Sequence, residues 1–184
     1  MPSLGPDHVL VRIYAAGINP SDFANAILNR FGGKKPIVPG RDFAGVVIES
    51  PSNPALVGTE VYGTSGNELS LRYDGTHAEY LAISPEGLAP KPKGLSWAQA
   101  GAVGVLYTTA YLIVEKVGLR DSKDVLVVFR ARGAVRRAVV EIANSRGCKT
   151  ITVSRRKGCD VDLTDDRNSI RSRSPPMARD LCYH

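Results

Sequence analysis

Cysteine is scarce in this chain, with three in 184 residues. All three, Cys148, Cys159 and Cys182, fall late and without metal-ligand spacing. That excludes a disulfide scaffold or a cysteine-ligated metal motif and predicts reduced thiols in a cytoplasmic protein. Long apolar runs are absent too. Without ~20 consecutive apolar residues no membrane span is expected. The opening stretch MPSLGPDHVLVRIY lacks a basic head followed by a long apolar core, so no secretory signal is expected. Acidic residues are outnumbered only in the last third. Residues 1–120 carry ten Lys/Arg against ten Asp/Glu, and residues 121–184 carry fourteen against eight, which accounts for the net charge of +6. A basic tail can attract nucleic acid. No recognition module or interleaved aromatic pattern accompanies it, so it reads as a solvated face, and no nucleic-acid partner is expected.

What is present falls into two patterns. Residues 9–92 read as short strands separated by Gly/Pro-rich turns, with strands expected at Val9–Ala15, Phe43–Glu49, Val57–Tyr62 and His77–Ile83. This spacing predicts a small β-barrel. One or two helical turns are expected over Asp22–Asn29. A single helix is expected over Trp97–Val117, entered through Ser96 with Gln99 three residues on, and closed by Gly118.

The second pattern is strand, glycine turn, helix, strand. Asp124–Phe129 (DVLVVF) is a near-continuous apolar run, as in a strand buried on both faces. Val135, Ala138, Val139, Ile142 and Ala143 then recur at helical spacing, Gly147 fits a stop, and Lys149–Val153 reads as a second strand. This is the opening of a dinucleotide-binding unit. The pattern decays after Lys157, and Ser169–Pro176 has no periodicity.

Several phrases in fixed order resemble the zinc-independent quinone oxidoreductases (zeta-crystallin-like) of the medium-chain dehydrogenase/reductase superfamily. They are Ala15–Asp22 (AAGINPSD), Pro39–Val47 (PGRDFAGVV), Asp74–Tyr80 (DGTHAEY) and Gly104–Tyr111 (GVLYTTAY). The resemblance implies an α/β protein: a GroES-like β-barrel domain over residues 1–112, a partial Rossmann domain with parallel βαβ order over residues 113–158, and an irregular tail over residues 159–184. It implies NADPH in the cleft between the domains, passing hydride to a quinone or an α,β-unsaturated carbonyl. Related enoyl-thioester reductases share much of the pattern, but they carry a tyrosine where this chain has Asn29-Arg30-Phe31. Zinc-dependent relatives place a cysteine near Asn19-Pro20-Ser21 and a His-Glu pair where Arg41-Asp42 stand, so no zinc is expected. The resemblance also implies roughly twice the present length, and on that reading the chain is truncated at both ends.

The candidate residues carry more than one reading. Asn19 matches the family's asparagine near the nicotinamide, where its amide orients the ring or the substrate carbonyl; equally, Asn19-Pro20 initiates a turn. Asp22 is expected to cap the turn that follows. Thr109 matches a threonine near the cofactor, or is a buried threonine bonded to a backbone carbonyl. Tyr107 and Tyr111 are expected in the core, and His77 has no assigned chemistry. Gly133, Ala134 and Val135 open the helix where pyrophosphate would sit. Arg130 and Arg136 stand where small residues are usual and are expected to obstruct it. Ser154-Arg155-Arg156, at the end of the second strand, suit the 2′-phosphate of NADP rather than the ribose hydroxyls of NAD.

Two strands and one helix leave apolar surface and strand edges uncovered, so this region is expected either to be marginally stable alone or to pair with another chain, a second copy among them, through those edges. The two function classes are thus an NADPH-dependent quinone or enone reductase, its activity impaired by truncation and the arginine-bearing turn, and a non-catalytic GroES-like fragment acting through protein association.

Overall fold

A computed structural model describes residues 1–28, 38–64, 73–119, 123–129 and 133–153. Their contacts divide the chain into two compact units, Met1–Thr109 and Ala110–His184.

The first unit is built on one antiparallel sheet. Its strands are β1 (Val9–Ala16), β2 (Asp42–Glu49), β3 (Glu60–Thr64), β4 (Tyr80–Ile83) and β5 (Leu88–Pro90), ordered β4-β1-β2-β3-β5. Period-two alternation sends Val9 and Val11 of β1, Phe43 and Val47 of β2, Val61 of β3, and Leu81 and Ile83 of β4 into one core, with Ile13, Leu56 and Leu88 packed against it. Each large side chain buried there contributes about 1.5–3 kcal/mol.

Strand boundaries depart from the expected ones for local reasons. Pro54–Leu56 make a 3₁₀ turn and Gly58 turns through φ +86°, so β3 begins at Glu60 rather than Val57. The amides of Thr76 and His77 bond the carbonyls of Gly40 and Pro39, which holds them in a loop and delays β4 to Tyr80. The three-residue β5 lies among prolines and glycine and was not expected.

Helix α1 spans Pro20–Leu28. The segment expected as one helix over Trp97–Val117 is two, α2 (Trp97–Ala102) and α3 (Gly104–Lys116). The start of α2 is as expected: Ser96 Oγ accepts from the Gln99 amide and the Ser96 amide donates to Gln99 Oε1, a complete capping box. The break at Val103 follows from a side chain distant in sequence. The Asp42 carboxylate accepts the Val105 N–H at 2.7 Å, satisfying a donor at a fresh helix start. Helix α3 stops at Gly118, φ +68°.

The second unit contains β6 (Val125–Phe129), α4 (Ala134–Ser145) and β7 (Lys149–Val153). The strands are parallel, in register from Val125↔Lys149 to Phe129↔Val153. Helix α4 buries Ala138, Val139, Val140 and Ala143 and stops at Gly147, φ +77°. One expectation is overturned. Strand β6 is not covered on both faces: Val128 is buried, but Val125, Val127 and Phe129 are 55, 46 and 66 % exposed. A single helix shields one face of two strands, and among the described residues nothing covers the other. Tyr111, expected in the core, is half exposed, with the Arg146 guanidinium 5.5 Å from its ring centre. No helix among the described residues is long and apolar enough to cross a membrane.

Candidate active site

The polar residues of the first unit converge on the turn between β1 and α1. Gly17 leaves β1, Asn19 precedes α1, and Pro20 occupies its first position, where the missing N–H is no loss. The Asn19 carbonyl accepts the Asp22 amide at 2.9 Å. The Asp22 carboxylate reaches back, and its Oδ2 accepts the Asn19 N–H at 2.8 Å. Asp22 therefore closes the turn that precedes it, from inside α1, rather than capping a following one.

Neither reading of Asn19 excludes the other. Its backbone starts the helix while its side chain is committed elsewhere: Nδ2 donates to Asp42 Oδ2 at 2.8 Å. Asp42 is 1 % exposed and gathers three elements. One oxygen takes Asn19, the other takes the Val105 amide of α3, Thr64 of β3 also bonds the side chain, and the Asp42 carbonyl accepts the Gly17 N–H at 3.3 Å. Burial pushes the Asp42 carboxyl above its ordinary value. Hydrogen bonds from Asn19, Val105 and Thr64 pull it back, and the charge of Asp22 adds to the rise. Gly104 is required by this contact, since a Cβ there would stand 2.5 Å from Asp42 Oδ1.

Arg41 completes the cluster. Its Nε donates to Asp22 Oδ1 at 3.1 Å and its Nη2 to Ser21 Oγ. Asp22, 2 % exposed, thus bridges the guanidinium to the Asn19 amide. His77 holds the same turn from another side, with Nε2 3.0 Å from the Gly17 carbonyl oxygen. That oxygen can only accept, so Nε2 carries the proton.

The residues predicted from sequence are distributed unevenly. Thr109 is exposed, which removes its reading as a buried threonine. Gly133 is the N-cap of α4 in extended geometry, φ −72° and ψ 146°, with no side-chain cap. The amides of the following Ala134 and Val135 therefore face outward at the positive end of a twelve-residue helix. Arg136 is exposed on that first turn, and α4 still packs on its strands, so the arginine does not displace the helix. Arg130, Ser154, Arg155 and Arg156 lie outside the described residues. Asp42, Arg41 and His77 were not singled out as site residues. A cue for the first two was their place in Pro39–Val47; nothing in the sequence pointed His77 at Gly17.

Two groups implied by the fold can be tested against these residues. Zinc does not fit the first unit. Residues 1–109 contain no cysteine, both oxygens of Asp22 and of Asp42 are occupied by N–H donors, and Arg41 already sits among them as a cation. A dinucleotide suits the second unit better, since the start of α4, which has no side-chain cap from Gly133, carries N-terminal amides of the kind that meet an anion.

Residues 5–93 match the alcohol dehydrogenase GroES-like domain family. The chain is 47 % identical over 158 residues to a zinc-type alcohol dehydrogenase-like protein of Schizosaccharomyces pombe, covering 86 % of this chain and 48 % of that protein. It is 38 % identical over 151 residues to 2-methylene-furan-3-one reductase of Solanum lycopersicum, covering 78 % and 38 %. Among solved structures, the quinone oxidoreductase of Thermus thermophilus, studied also as its NADPH complex, aligns with a TM-score of 0.68 at 27 % identity over 84 % of this chain and 47 % of that one. The chain spans half or less of the length of these relatives.

Proposed function

Since this chain belongs to the medium-chain dehydrogenase/reductase superfamily, with a GroES-like domain and the opening strands of a Rossmann-like unit, we propose that it serves NADPH-dependent reduction of a quinone or an α,β-unsaturated ketone. The observation that carries the proposal is the fixed Asn19 side chain. Its amide nitrogen is tied to a buried carboxylate, so its orientation is set before any substrate arrives. The relatives' names support the substrate class.

When bound, NADPH supplies the hydride. The chain's own residues bind and orient. Gly133, Ala134 and Val135 offer backbone amides to the pyrophosphate. Ser154, Arg155 and Arg156 would favour the 2′-phosphate, and the exposed Thr109 hydroxyl would be available to the cofactor. Asn19, held by Asp42, presents the rest of its amide to the nicotinamide or the substrate carbonyl. Arg136, on the first turn of α4, would compete with phosphate for space.

Titrating NADPH fluorescence with the chain tests the proposal. Saturable binding is expected, tightened by Arg130→Gly with Arg136→Gly. Absence of saturation at millimolar cofactor rejects it.

The exposed Val125, Val127 and Phe129 favour a second reading, a non-catalytic module acting through association with another chain. A monomer by light scattering that binds NADPH and reduces a quinone excludes that reading.

A further inference from the structure

Resting on the reductase reading, we infer that Arg41 is a catalytic residue that receives the negative charge developing on the substrate oxygen.

Reduction of an enone by hydride makes such a charge unavoidable. Hydride addition at the β-carbon forms a C–H bond and breaks the C=C π bond. That electron pair moves to the bond between the α-carbon and the carbonyl carbon, and the carbonyl π pair moves to oxygen. The product is an enolate, with NADPH oxidised to NADP⁺, and the α-carbon then takes one proton from water. A quinone gives the corresponding quinol anion. Either oxyanion needs preorganised donors.

Most polar groups near Asn19 are already committed. Asn19 Nδ2 gives one N–H to Asp42 and keeps the other as a neutral donor, and the Asn19 backbone N–H donates to Asp22. Both carboxylates have N–H donors on both oxygens, and neither is suited to meet an anion. His77 Nε2 is engaged by Gly17. Arg41 differs. Its Nε edge is fixed by Asp22 and its Nη2 reaches Ser21, while Nη1 makes no hydrogen bond among the described residues. Its side chain is 15 % exposed, shielded enough to strengthen its field and open enough to be reached. The ion pair with Asp22 acts as a mount: it holds the planar fork in one orientation, so little rotamer freedom remains to be lost when an oxyanion docks. Ser21 adds to the site. Accepting from Nη2 leaves its hydroxyl proton free to donate to the same oxygen.

The test separates this inference from the reductase reading. The probe is 4-nitrophenolate, whose absorbance reports both binding and ionisation, with nitrobenzene as the neutral control. Removing Arg41 alone strands a buried carboxylate, so the main variant is the doubly neutral Asp22→Asn/Arg41→Gln, with Arg41→Lys alongside; circular dichroism checks folding. Wild-type chain is expected to bind 4-nitrophenolate at least about tenfold more tightly than the double variant, to bind nitrobenzene equally, and to shift the bound phenol toward its anion. Arg41→Lys retains part of that preference. With NADPH and an enone, the double variant is expected to lose about 10²–10³ in kcat with the KM for NADPH unchanged. Equal phenolate binding by wild type and the double variant overturns the inference, as does the absence of phenolate binding in the wild type. If the wild type binds phenolate through Arg41 but shows no turnover with NADPH, the reductase reading fails while the anion site stands.

Discussion

Replacing Asp42 with asparagine isolates the hydrogen bonding at the centre of the site. The two side chains have nearly the same shape, so packing is little changed. The chemistry differs. Asp42 accepts from Asn19 Nδ2 at 2.8 Å on one oxygen and from the Val105 N–H at 2.7 Å on the other. An asparagine keeps one acceptor and turns an NH₂ toward the remaining donor. Hydrogen bonds to charged groups are worth about 1.5–3 kcal/mol and an orphaned buried donor costs about 1–3 kcal/mol. Relief from burying a charge offsets part of this. The expected net loss is about 2 kcal/mol, or a fall in Tm of about 4–8 °C for a chain of this size. The pH dependence adds a second readout. Burial raises the Asp42 carboxyl in the folded state above its ordinary 3.8, so the folded chain binds more protons than the unfolded one in the interval between the two values. This group's contribution is therefore full below 3.8 and is lost as pH rises through the folded value. D42N lacks that slope, so the two stability curves converge with rising pH. Asparagine does not merely copy the protonated acid, because a protonated carboxyl oxygen keeps a lone pair and an amide nitrogen has none. Thermal melts by circular dichroism across this range decide it. A D42N variant within about 0.5 kcal/mol of wild type at neutral pH, or one that diverges from it as pH rises, refutes the reasoning.

Three further perturbations follow from the same geometry. Gly104→Ala puts a Cβ 2.5 Å from Asp42 Oδ1 and 2.9 Å from Thr64 Cβ, and overpacking of this kind is expected to lower stability by about 1–3 kcal/mol in urea unfolding. His77→Leu removes the donor to the Gly17 carbonyl and is expected to cost about 0.5–1.5 kcal/mol, part of which His77→Gln restores; equal melts for the two variants contradict that role. Phe129→Asp places a charge on the uncovered face of β6 and is expected to shift light-scattering mass toward the monomer, whereas an unchanged mass assigns any association to another surface.

How much could be read from the sequence depended on how local the cause was. Ser96 and Gln99 make their capping box within four residues, and Gly118 and Gly147 end helices through their own backbone angles. These features are visible in a short window. The break between α2 and α3 is only half visible, because Gly104 beside Val103 is a weak helix former that does not by itself fix a break. It depends on Asp42, 63 positions before Val105, whose carboxylate serves as an acceptor for a helix start. The same holds for His77 and Gly17, 60 positions apart. Strand β6 misled for a different reason. Its composition, VLVVF, suits a strand covered on both faces, but burial also depends on which elements are present to cover it.

The candidate site shows the same limit in its chemistry. Asn19 stands out in sequence because its phrase is distinctive, and the structure adds that its side chain is held by Asp42. What holds it, Asp42, has no individual signature in the sequence. The Arg41-Asp42 pair drew attention only as the place where zinc ligands are missing. The geometry gives both residues positive roles. Asp42 fixes Asn19 and the start of α3. Arg41 lies beyond Asp22, with a guanidinium end still uncommitted among the described residues. A metal ion and a mounted guanidinium would answer the same electrostatic need on the proposed reductase reading, since each would place positive charge beside a carbonyl oxygen turning into an oxyanion. They differ in geometry: a metal accepts a lone pair, whereas the guanidinium donates hydrogen bonds in a fixed plane. On the proposed reductase reading, a site built on Arg41 would favour planar, delocalised oxyanions, such as enolates and quinol anions, over the alkoxide of a simple alcohol. On that reading, Arg41 would supply at this turn the positive charge that a metal ion would otherwise bring.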